Sequence, residues 1–187
     1  TLVAWRRGSA FDLGSLGISM FFESTPSFWL GMIFIAVFAA RLRWFPIFGA
    51  QTPGVSLAGW AMVANTAWHL ALPLATLTLI TIPGNFLIMR YSMLNVLGEQ
   101  YIATAKAKGL AERTVIYRHA MRTALLPMAT VVMLNLGFIA SGATVIETVF
   151  SYPGVGRLLY EAVLNRDYPV IQATFFILTV SVIAANV

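Results

Sequence analysis

Cysteine is absent from the 187 residues, which excludes disulfides and thiolate metal sites and leaves the redox compartment open. Charge is nearly as scarce. Asp, Glu, Lys and Arg supply 10% of the chain and hydrophobic residues 59%, against about 25% and about 45–50% in an ordinary soluble domain. Four runs carry no acidic or basic residue of those types: 24–40, 70–89, 123–146 and 168–187. A helix needs about 20 mostly apolar residues to cross a hydrocarbon layer of about 30 Å. Three runs reach that length, and the first does so once the ISMFF before Glu23 is included. Also lacking are an internal repeat and a G-x-x-x-x-G-K-[ST] phosphate loop. Neither His69 nor His119 has a second ligand at metal-binding spacing.

What is present organises around those runs. The expected fold is all-α, a polytopic transmembrane helix bundle forming one domain over residues 1–187. Spans are expected at 18–40, 70–94, 124–150 and 168–187, with the tail of an earlier span at 1–5. The sequence opens without methionine and its last apolar run reaches Val187, so it reads as the middle of a longer membrane polypeptide. Alternating the spans puts Arg6, Arg7, Arg90, Lys106, Lys108, Arg113, Arg118 and Arg122 on one side and Arg41, Arg43, Arg157 and Arg166 on the other. The richer side is cytoplasmic by the positive-inside rule. The net charge of +5 is therefore read as topology, and no nucleic-acid partner is expected.

Helix breakers and small residues mark the spans. Pro26 and Pro83-Gly84 are read chiefly as tolerated breakers in membrane helices. Gly137, Ala140, Ser141, Gly142 and Thr144 form close-packing faces, on which Asn135 and Ser141 are candidates to line a translocation path. Glu23 is read as an interfacial carboxylate and Glu147 as bonding loop backbone near the outer end of its span.

The loop 95–122 holds most of the interest. Its segment EQYIATAKAK reads as a short helix, with its acid at the start and both lysines in the last turn, as the helix dipole favours. Gly109 stands at the left-handed position that commonly ends a helix, and a second helix is expected from near Glu112. At 100° per residue, Arg118 and Arg122 project about 40° apart and Arg113 about 140° from Arg118. Such scattered charge suits a helix–Gly–helix elbow docking into protein better than a helix lying flat on lipid.

The stretch EQYIATAKAKGLAERTVIYRHAMRTALLP closely resembles the signature cytoplasmic loop of type I ABC importer permeases, in particular the dipeptide/oligopeptide/nickel class. The resemblance continues through TPSFWLGM, GATVIETVFSYPGVGRLL and NRDYPV, covering nearly the whole chain. It implies that Ala103, Thr104, Ala105, Lys106, Ala107, Lys108, Gly109 and Leu110 form the coupling helix that inserts into a cytoplasmic ATPase subunit. The general pattern of Glu-Ala-Ala, three residues, then Gly is met here by Ala103, Thr104, Ala105 and Gly109, without the initial acid. Ala111 stands where the family often has Ser, so the second helix loses a capping hydroxyl. The implied partners are a homologous permease, two ABC ATPases carrying ATP-Mg, an extracytoplasmic solute-binding protein and membrane lipid. This chain itself would bind no cofactor and perform no catalysis. Arg157, Tyr160 and Glu161, on a short helix after Pro153-Gly154, would face the binding protein. The implied location is the inner or plasma membrane of a prokaryote, as a multi-pass protein. The class implies peptide transport, and nickel and glutathione importers share the architecture. Two other classes remain as alternatives. An intramembrane serine protease would use Ser141, and a gradient-driven carrier or ion channel would need an ionisable residue deep in a span.

Overall fold

Local chemistry sets most helix ends in the computed structural model, which describes residues 8–140 and 143–186. Helix α1 (Ala10–Glu23) starts where the Ser9 hydroxyl accepts the Asp12 N–H at 3.2 Å, the usual N-cap arrangement. It ends at Ser24, and Pro26 explains why it goes no further. A residue before proline is pushed out of the α region, and Pro26 itself is extended at ψ 132. The chain resumes as α2 (Ser27–Phe34), which passes into a π-helical turn, Ile35–Arg41. The single span expected at 18–40 is therefore two helices separated by the residues around Pro26.

Helix α3 (Trp60–Leu97) has 38 residues. At about 1.5 Å per residue it is close to twice as long as a hydrocarbon layer is thick. It begins well before the expected boundary at 70, so the last third of the expected loop 41–69, from Trp60 on, is helical. It also runs without interruption through Pro73 and Pro83. The shorter α4 (Gln100–Ala107) follows, then α5 (Glu112–Thr114), continuing as a π-helical turn, Val115–Ala120. Helix α6 (Met121–Ala140) carries Pro127 inside it. The span expected at 124–150 is interrupted: Ala143 is non-helical at φ −89 and ψ 69, and a separate helix α7 (Thr144–Val149) follows. Helices α8 (Val155–Asn165) and α9 (Tyr168–Asn186) complete the described chain. The described residues contain helices and connections only, with no strand.

By length and composition α3 is long and apolar enough to cross a membrane, and α1 with α2 would count as a second span if taken together across their break. Only 22% of the most apolar window of α3 is buried, so this is not the core helix of a soluble protein. Large apolar side chains are exposed along α1 and α9 as well, among them Phe11, Ile18, Phe21, Phe175, Phe176 and Ile183. Apolar surface on this scale needs lipid or a partner to cover it.

The chain divides into two units, each with its own core. Residues 1–24 and 81–133 form one. Its core joins Met93 and Val96 of α3, Ile102 and Ala105 of α4, Val115, Ile116 and Ala120 of the π turn, and Ala124 of α6. Residues 25–80 and 134–187 form the other. Its core gathers Ala39, Leu72, Ile146 and Phe150, with Phe34, Phe38 and Val149 against them. There the loop before α3 is pinned by the Gly49 N–H donating to the Phe150 carbonyl at 3.0 Å. The Thr52 N–H likewise donates to Asn65 Oδ1 at 3.0 Å.

Candidate functional site

The end of α4 is a helix stop closed by two backbone bonds. The Gly109 N–H donates to the Lys106 carbonyl at 2.9 Å and the Leu110 N–H reaches back to the Ala105 carbonyl at 3.4 Å. Gly109 has φ +74. This is the Schellman arrangement, in which a left-handed residue lets two later N–H groups satisfy carbonyls that the helix leaves open. The chain then extends through Ala111, which has no side chain to cap α5. Both the glycine stop and the uncapped restart agree with the sequence reading.

Burial divides the eight loop residues into two sets. Ala105 is buried with Ile102 in the unit's core, whereas Ala103, Thr104, Lys106, Ala107, Lys108, Gly109 and Leu110 are exposed. The outward face of α4 is thus small-residued, with Ala103, Thr104 and Ala107 at neighbouring helical positions, and its far end carries Lys108 and Leu110. The Thr104 hydroxyl is already used, donating to the Gln100 carbonyl at 3.0 Å. Arg113 lies over the ring of Tyr117, 6.0 Å from its centroid. Arg118 and Arg122 are exposed.

The π turn changes the expected angular arithmetic. Its hydrogen bonds run from i to i+5, wider than an α turn. Phases counted at 100° per residue from Arg113 to Arg118 and Arg122 therefore do not carry across 115–120. The turn buries Val115, Ile116 and Ala120 together against α3 and α4. Burying a side chain of the Val or Ile kind stabilises by about 1.5–3 kcal/mol. Several such contacts fix the elbow to the end of α3. Two further bonds add to this: the Ser92 hydroxyl donates to the Ala124 carbonyl at 2.8 Å, and the Tyr101 hydroxyl to Thr123 Oγ1 at 3.1 Å.

A second site lies in the other unit, at α8. The Glu147 carboxylate accepts the Arg157 N–H at 2.8 Å, serving an orphan N–H in the first turn of α8. Glu147 therefore bonds backbone beyond its own helix, as expected, but that backbone is the first turn of α8 and not a loop. A Cβ on Gly154 would land on that carboxylate, and one on Gly156 would meet Thr144. Arg157 and Glu161 pair with each other at 2.7 Å one turn apart, and Tyr160 is exposed beside them. Arg157 and Glu161, with Pro153, Gly154, Val155 and Leu158, line an open cleft.

Of the two candidate path residues, Asn135 is half-buried on α6, and Ser141 lies outside the described residues. His69 is buried, with its Nδ1–H donating to the Asn65 carbonyl at 2.9 Å and its ring edge-on to Trp68. No group of three or more metal-ligating side chains occurs among the described residues.

Sequence reasoning missed a two-bonded ion pair in the first unit. Arg90 Nε and Nη2 donate to Asp12 Oδ1 and Oδ2, both at 2.8 Å, with side-chain exposures of 12% and 2%. In the sequence Arg90 counts only towards topology. The available signal was its place between Met89 and Tyr91, where an arginine in an apolar helix calls for a carboxylate.

A family model described as binding-protein-dependent transport system inner membrane component matches residues 1–187. The chain is 37% identical over 202 residues to the dipeptide transport system permease protein of Escherichia coli K12, covering 99% of this chain and 60% of that protein. It is 40% identical over 197 residues to the dipeptide transport system permease protein of Alkalihalophilus pseudofirmus, covering 94% and 59%. Against the oligopeptide transport system permease protein of Bacillus subtilis it is 36% identical over 185 residues, covering 99% and 57%. The chain thus spans a little under two thirds of the length of these relatives.

Proposed function

The chain belongs to the family of binding-protein-dependent transport system inner membrane components, and from that membership we propose that it is the permease subunit of an ABC peptide importer. In this reading it crosses a bacterial inner membrane several times and forms the translocation path together with a homologous permease. An external solute-binding protein delivers the peptide. Two ATPase subunits supply the energy, because this sequence carries no phosphate-binding loop of its own. The choice of peptide follows the names of the relatives, which are dipeptide and oligopeptide permeases.

The observation that carries the proposal is the elbow of α4, Gly109 and the π turn. Its exposed face is built of small side chains, which lets another protein approach the helix backbone closely. Its buried face is locked into the end of α3. A push delivered to Ala103, Thr104 and Ala107 is passed to Met93 and Val96 through Ile102 and Ala105, because close-packed side chains transmit displacement. ATP-driven closure of the ATPases would move the elbow, and the elbow would move α3. In the other unit, α8, with Glu147 at its start, would offer Arg157, Tyr160 and Glu161 to the binding protein.

The test is Gly109→Val in the complete transporter. A left-handed backbone costs a residue bearing a Cβ about 1–2 kcal/mol, so the elbow should distort while the membrane helices stay intact. The complex should assemble, but its ATP hydrolysis should stop responding to loaded binding protein, and uptake should fall. Normal coupling in an assembled Gly109→Val complex would remove the proposed role.

A further inference from the structure

We propose that the Asp12–Arg90 ion pair is a positioning element of the transport cycle, locking α1 to the body that carries the ATPase-facing elbow. The inference rests on the coupling role proposed above and extends it to a second helix. The two bonds, both at 2.8 Å, join two nitrogens of one guanidinium to two oxygens of one carboxylate. That fork fixes distance and rotation together, which a single charge contact does not.

The first turn of α1 is built around this pair. Asp12 Oδ2 also accepts the Gly8 N–H at 2.9 Å, Ser9 caps the Asp12 N–H, and the Ser15 hydroxyl donates to the Asp12 carbonyl at 3.0 Å. On the other side, Arg90 stands one turn before Met93, which is fully buried in the elbow's core. The connection therefore runs from Ile102 and Ala105 to Met93 and Val96, then one turn along α3 to Arg90, then to Asp12.

The buried residues of α1 are Asp12 and Ser19, and most of its apolar side chains are exposed. The core cluster of this unit includes no residue of α1, and Phe11, Leu13, Ile18, Met20 and Phe21 are exposed. Its far end meets α3 again where the Glu23 carboxylate lies over Gly84. A buried ion pair is a poor source of stability, because desolvating both charges offsets most of their attraction. Geometric definition is what it adds. Turning α3 through the elbow would then turn α1 with it, and α1 leads directly to the break at Pro26.

The experiment uses the complete transporter in proteoliposomes, with its binding protein loaded with a dipeptide, reading uptake per ATP hydrolysed. Two double variants are compared: Asp12→Leu with Arg90→Leu, and Asp12→Arg with Arg90→Asp. Removing both charges avoids leaving one buried and unpaired. The apolar pair should assemble, yet its uptake per ATP should fall about fivefold or more, within the range by which residues linking two sites alter coupling. The reversed pair should recover most of that loss. Wild-type uptake per ATP in the apolar pair would overturn the proposal, as would a reversed pair that assembles without recovery. Failure of both pairs to assemble would assign the ion pair to folding alone and overturn it equally. Gly109→Val, run in parallel, separates the two claims. If Gly109→Val couples normally the elbow reading fails, whereas if it uncouples while the apolar pair does not, only the present inference fails.

Discussion

Two glycines show how the same residue type answers different physical demands. An added Cβ at Gly109 meets nothing within 4 Å, so its constraint is the backbone angle of +74 and not space. Asparagine visits the left-handed region and β-branched residues avoid it. Gly109→Asn should therefore retain coupled ATP hydrolysis where Gly109→Val loses it, a contrast measured in reconstituted complexes. At Gly154 the backbone is ordinary, with φ −116, and the demand is space for the Glu147 carboxylate. Gly154→Ala should push Glu147 off the Arg157 N–H, and Glu147→Ala should remove the same bond. Losing a helix-start acceptor costs about 1 kcal/mol, so both variants should weaken capture of the binding protein while basal ATP hydrolysis stays near wild type. Titration of binding protein onto the complex reads this directly. Gly109 was legible in the sequence because two lysines and three alanines marked the helix it ends. Gly154 was legible only as a turn, since its real neighbour is a carboxylate that folds back from the preceding helix.

Among the elements, the short helix α4 came out of the sequence almost residue for residue, because its charges, its alanines and its glycine all point to the same ends. The longer elements were less legible. Hydrophobic runs report which residues avoid water, and they say little about where a helix pauses. Pro26 was read as a tolerated breaker and instead separates α1 from α2, whereas Pro83 lies inside an unbroken α3. The π turns at Ile35–Arg41 and Val115–Ala120 had no signature at all, since widening a turn depends on what the side chains pack against. The elbow's own packing yields a prediction at this scale. Ile102 is fully buried between α3 and the π turn. Ile102→Ala should cost about 2–5 kcal/mol and lower the thermal midpoint of the assembled complex. Ala103→Ser, on the exposed face of the same helix, should leave that midpoint unchanged.

For the whole molecule, composition alone identified a membrane protein, and the exposed apolar faces of α1, α3 and α9 agree with it. Distant pairings were the part hidden from sequence. Asp12 and Arg90 stand 78 positions apart, and no local pattern joins them. The orientation of the chain is open to a labelling test. A cysteine at Lys108 should react with impermeant reagent only from the cytoplasm and one at Gln51 only from outside, and the 187 residues themselves add no other cysteine. The central claim is that the small-residued face of α4 docks into an ATPase. A photoreactive amino acid at Ala107, on that exposed face, tests it most directly in the complete transporter within native membranes. One dominant cross-linked partner is expected, identified by mass spectrometry as the ATP-binding subunit. Cross-linking at Ala107 only to lipid or to the second permease, with a complex that still transports, would contradict it.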